Sequence, residues 1–129
     1  MNFFTSEGNI RPELFDQEAI RVAEGILRIK PTQMRRIFDQ IKQLRHRLDT
    51  GEGWGKILPL IKLQKAQIAY TVRRGKISGG RDRENDWKNL EVFMKDGMDS
   101  VKNAEDYAAF TDMMEAVYAY HYARTNERD

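Results

Sequence analysis

The sequence contains no cysteine, which at once excludes disulfides, thiolate zinc sites, iron–sulfur clusters and a cysteine nucleophile. It has only two histidines, His46 and His121, too few for the usual metal sites. Long apolar runs are missing as well. The longest covers the five residues 116–120, against the roughly 18–20 that a membrane span requires. The first nine residues carry neither a positive charge nor an apolar core, so they do not read as a secretory signal, and the expected compartment is the cytoplasm. Period-two alternation of β-branched residues is absent, and with it the signature of strands. There is no internal repeat, low-complexity tract or linker long enough to divide domains.

What is present is helical spacing. In a chain of 129 residues, 40% hydrophobic and 33% charged, this predicts an all-α fold, a single-domain compact bundle of about five helices over residues 1–129. Residues 1–11 read as a flexible lead-in. A first helix is expected from Pro12 to Lys30, where Phe15, Ala19, Val22, Ala23, Ile26 and Ile29 recur every three or four positions. Pro31 breaks it, Thr32 is placed to cap the next, and Met34, Ile37, Phe38, Ile41, Leu44 and Leu48 form one apolar stripe of a second helix. The third runs from about Ile57 to Arg73, with Pro59 in its first turn and Gly75 closing it. Residues 76–86, with Gly79-Gly80 and mixed charge, read as a basic loop. Trp87, Leu90, Met94, Met98 and Val101 mark a fourth helix, with Trp87 packing at its start. Asn103 and Asp106 predict a capped start for a fifth, with Tyr107, Phe110, Met114, Val117 and His121 in line.

Charge is segregated along the chain. Residues 1–27 carry a net −3, residues 28–83 a net +11 and residues 84–129 a net −6. A strongly basic middle between acidic ends has the footprint of a polyanion-binding face; its alternative is internal pairing of that middle with the ends. On the second helix Arg35, Lys42 and His46 share the side away from the apolar stripe, with Arg36 and Arg47 flanking. On the third, Lys62, Lys65 and Arg73 share a face with Ala66 and Ala69, whose small side chains leave room for a backbone to approach. Arg74, Lys76, Arg81 and Arg83 extend the series, and guanidinium groups bind phosphate oxygens in pairs. The candidate polyanion-binding set is therefore Arg35, Arg36, Lys42, Lys62, Lys65, Arg73, Arg74, Lys76 and Arg81. No paired carboxylates, phosphate loop or zinc spacing accompanies them, so neither catalytic residues nor a cofactor are expected, and the chain does not read as an enzyme. The aromatic run 118–122 and the methionines Met94, Met98, Met113 and Met114 suggest contacts between copies of the chain.

Three segments resemble the small subunit of type III-A CRISPR effector complexes, the Csm small subunit family. They are Thr32-Gln33-Met34-Arg35-Arg36-Ile37, then Ile68-Ala69-Tyr70-Thr71-Val72-Arg73, and finally Glu115-Ala116-Val117-Tyr118-Ala119-Tyr120-His121. Ala23-Glu24 also fits, and the resemblance covers about residues 15–122. Ala66 and Gln67 stand where the family has a proline and often a lysine. The resemblance implies a compact helical protein without catalytic activity, present in several copies beside the backbone and large subunits, helping to form the channel for guide RNA and target RNA. Arg35, Arg36 and Arg73 are its matched basic residues, with Lys65 alongside. Such a subunit needs positive charge and shape, because base pairing reads the sequence. Two other readings stay open: a protein-binding helical adaptor and a DNA-binding helix-turn-helix regulator. The latter would have to use a connection across residues 51–55, longer than the about three or four residues of that motif.

Overall fold

The computed structural model describes residues 1–125. A short 3₁₀ turn, Pro12–Phe15, leads into five helices: α1 (Gln17–Glu24), α2 (Pro31–Asp49), α3 (Trp54–Ser78), α4 (Arg81–Asp99) and α5 (Ala104–Arg124). The all-α bundle expected from the periodicity is what forms. α5 runs through its middle and packs against α1 and α2, while α3 is flanked by α2 and α4. The line Tyr107, Phe110, Met114, Val117 and His121 is buried, and Ala109, Thr111 and Met113 extend burial around more than half of the helix. Asn103 caps α5 as predicted, its side-chain oxygen accepting the Asp106 backbone N–H at 2.9 Å.

The first predicted helix is the least regular part. The chain leaves helical geometry at Asp16, and after Gly25 only turns carry it to Pro31, so one expected helix of nineteen positions becomes a 3₁₀ turn and the eight residues of α1. Its apolar spacing serves the core in part: Ala19, Ala23, Ile26 and Ile29 are fully buried, whereas Phe15 and Val22 are half-buried against it and Leu14 takes the fully buried place beside Phe15. α2 begins at Pro31, one residue before Thr32. The proline's missing N–H costs nothing at a first helical position, and Gln33 Oε1 reaches back to the Lys30 N–H.

Residues 1–11 are not a loose lead-in. Phe3 is buried with its ring edge toward Phe110, and Phe4 pairs with Ile10 across a turn. The terminal ammonium lies 3.2 Å from Asp96 and 2.9 Å from the Ser100 hydroxyl. Two aromatic rings at positions 3 and 4 give this segment enough apolar area to dock.

The basic loop expected at residues 76–86 is also absent. α3 continues through Gly75 to Ser78 and α4 starts at Arg81, leaving Gly79 and Gly80 as the whole connection. Gly80 takes φ +74°, a conformation that favours glycine, so the chain reverses there in two residues. Lysine, arginine and glutamate are good helix formers, and apart from Gly79 and Gly80 this polar stretch is helix rather than loop, largely exposed but with Asp86 buried, where its carboxylate accepts the Arg28 backbone N–H at 2.8 Å. Trp87 consequently sits inside α4, buried over Gly75, and not at a helix start. α3 also begins three residues before the predicted Ile57, which puts Pro59 beyond the first turn.

Candidate nucleic-acid interface

The α2–α3 connection holds only residues 50–53, shorter than the sequence suggested and within helix-turn-helix length. The geometry is nevertheless different. Gln33, near the start of α2, and Ser78, at the end of α3, line the same cleft, and Gln64 Nε2 donates to the Gln40 carbonyl at 2.7 Å midway. The two helices therefore lie side by side and antiparallel, not crossed as in a helix-turn-helix. A buried polar knot fixes their spacing. The Tyr107 hydroxyl lies 2.8 Å from Gln64 Oε1 and 3.1 Å from the Ile41 carbonyl, so one residue of α5 ties α2 to α3. Burial pushes the Tyr107 phenol up, which keeps it protonated and able to donate.

Between these helices runs an open cleft of about 310 Å³, walled by Arg36 and Gln40 from α2 and by Tyr70, Thr71, Arg74 and Ser78 from α3. The Arg74 guanidinium carbon lies 5.8 Å from the centroid of the Tyr70 ring, and Thr71 and Ser78 return their hydroxyl hydrogens to the carbonyls of Gln67 and Arg74. Their oxygen lone pairs stay available, and the two guanidinium groups supply donors from opposite walls. Gln40 Oε1 is buried in this wall with no hydrogen-bond partner.

The nine sequence-predicted residues divide into groups. Arg35 and Lys42 lie on the exposed side of α2 together with His46. Arg35 keeps a loose contact with Asp39 at 3.9 Å, and the Lys42 ammonium lies 5.4 Å from the Phe38 ring centroid. Arg36 and Arg74 face each other across the cleft. Lys62 and Arg73 project from the outer side of α3, and Arg81 stands at the start of α4; all three are exposed. Arg36, Lys42, Lys62, Arg73, Arg74 and Arg81 form no ion pair with any described residue.

Lys65 and Lys76 are placed differently. They turn toward α4, where Lys65 pairs with Asp99 and Lys76 with Glu91 at 3.0 Å. Lys65 holds the Asp99 carboxyl below its usual range. Arg45, which the sequence did not single out, reaches from α2 to Asp112 at 2.8 Å and to the Ala108 carbonyl on α5. Among the described residues the basic middle thus does pair with the acidic end, through three interhelical ion pairs, while Arg36, Lys42, Lys62, Arg73, Arg74 and Arg81 stay on the surface. The four methionines suggested for contacts between copies are all buried and fill the core. Among the described residues no three His, Asp or Glu side chains cluster to hold a metal ion, and no helix is long and apolar enough to cross a membrane.

A family profile described as Csm2 Type III-A matches residues 10–127. No curated protein and no solved structure gives a significant match.

Proposed function

The chain belongs to the Csm2 Type III-A family and is thereby a subunit of a type III-A CRISPR complex, and from that premise we propose that it is a non-catalytic scaffold subunit lining the channel for guide and target RNA. The observation that carries this reading is the row of surface cations on α2 and in the α2–α3 cleft. Arg36, Lys42 and Arg74 have no carboxylate partner among the described residues, and Arg35 is held only loosely. Such groups gain by meeting phosphate, since each neutralised phosphate releases condensed counterions. The fixed spacing of α2 and α3 presents them as a rigid surface, and the cleft offers hydroxyl acceptors suited to ribose. Nothing in the arrangement is shaped for base-edge reading, in keeping with complexes in which pairing to the guide supplies sequence. Partners on this reading are the two RNAs, the backbone and large subunits and further copies of this chain.

The test is reconstitution of the effector complex with Arg35→Ala, Arg36→Ala, Lys42→Ala and Arg74→Ala combined. Assembly is expected to survive while retention of target RNA falls at least tenfold at physiological salt. Unchanged retention of both RNAs would remove the channel role.

A further inference from the structure

α3 is the longest helix, and among its 25 residues it has six lysines and arginines and not one acid. It also carries three large apolar side chains that the fold leaves uncovered: Leu63 at 54% exposure, Tyr70 at 64% and Ile77 at 69%. They are spaced seven apart, so at about 100° per residue they stand on one line, about 21 Å long, on the side of α3 away from the core. Exposed Ala66 lies between the first two, Lys62 and Arg73 run along one border of the line, and Arg74 of the cleft stands on the other. A heptad row with charged borders is the pattern by which one helix receives another.

We propose that this outer face of α3 docks an acidic amphipathic helix of another subunit of the complex. Aliphatic anchors gain little from RNA, whose backbone is charged and whose bases stack on aromatic and guanidinium planes, so Leu63 and Ile77 favour a protein. Charge then selects the kind of protein. A symmetric pairing with a second copy would set Lys62 and Arg73 against their own counterparts, and like charges across an interface oppose it. Nor do the described residues present a matching acidic row: the other large exposed apolar residues among them, Ile10, Val92 and Tyr122, are single and lie on three separate segments. A helix with apolar residues at heptad spacing and Asp or Glu along the border that meets Lys62 and Arg73 satisfies the anchors and the cations together. This surface shares Tyr70 with the α2–α3 cleft, but its aliphatic anchors Leu63 and Ile77 lie outside the cleft lining, so variants at those two positions test it with the cleft's cations left in place.

The absence of cysteine permits a clean test. Ala66→Cys, labelled with a benzophenone maleimide and assembled into the effector complex, should cross-link on irradiation to a net-negative, heptad-patterned peptide of another subunit. Glu105→Cys on α5 serves as the control site. Adding Leu63→Ser and Ile77→Ser should cut the yield at least tenfold with helical content unchanged by circular dichroism. Cross-links from position 66 to RNA, to another copy of this chain or to a segment lacking an acidic border would overturn the proposal, and so would a label that remains solvent-exposed and forms none.

Discussion

Gly75 on α3 lies against the indole of Trp87 on α4, so close that a Cβ at position 75 would stand 2.2 Å from Trp87 Cε2. The absent side chain is what lets the two helices approach. Gly97 of α4 does the same beneath Phe110 of α5, where a Cβ would also meet the ring at 2.2 Å. Gly75→Ala should therefore destabilise the protein although alanine is the better helix former by about 1 kcal/mol. Overpacking of a dense core costs about 1–3 kcal/mol or more, and here a buried ring has to move. The expected net loss is about 2 kcal/mol, read as a fall in Tm of roughly 5–10 °C. A variant as stable as the parent would show that the α3–α4 contact is looser than described.

That contact also explains what the sequence concealed. A glycine after a helical stripe has the same one-dimensional signature whether it ends a helix or opens a groove for a ring on the next one. Gly75 was legible only as a terminator, and the polar, glycine-containing stretch behind it followed as a loop. Strong apolar periodicity, by contrast, carried over well: the stripe of α2 and the line from Tyr107 to His121 are core. In the candidate site, exposure of Arg35, Arg36 and Lys42 followed from their position opposite that stripe. The capture of Lys65 and Lys76 by α4 did not, because it depends on which helix packs beside α3. The cleft between Arg36 and Arg74 was hidden for the same reason.

The knot around Tyr107 should be worth more than its packing. Tyr107→Phe keeps the ring but leaves Gln64 Oε1 without its donor at 2.8 Å in a buried setting. An unsatisfied buried acceptor costs about 1–3 kcal/mol. Chemical denaturation should show that loss with an unchanged m-value, and a variant within error of the parent would mean the hydroxyl has another role.

The Lys65–Asp99 pair makes a prediction about pH. Hydrogen bonding to Lys65 lowers the Asp99 pKa in the folded protein, so the pair contributes stability above the ordinary carboxylate value. That contribution is lost as pH falls through the depressed folded value. Wild type should therefore melt slightly above Asp99→Asn at neutral pH, with the gap closing in acid. The effect is small because both side chains are partly exposed. A gap that stays constant down to strongly acidic pH would contradict the assignment.

The salt dependence of RNA binding separates the surface cations from the paired ones. For single strands the log–log slope of affinity against salt changes by about 0.7 for each phosphate contact removed. Arg36→Ala and Arg74→Ala should each flatten it by about that amount, and the double variant by about 1.4, nearly equally for unrelated RNA sequences and without loss of helical content. Lys65→Ala and Lys76→Ala serve as the counter-case, because their ammonium groups are held by Asp99 and Glu91 on α4. They should lower Tm and leave the slope alone. Flattening confined to the lysine variants would reverse the assignment, since it would mean that the interhelical pairs open to meet RNA while the cleft arginines do not. The arginine and lysine variants must be compared at matched ionic strengths, because only the slope, and not a single affinity, counts the contacts.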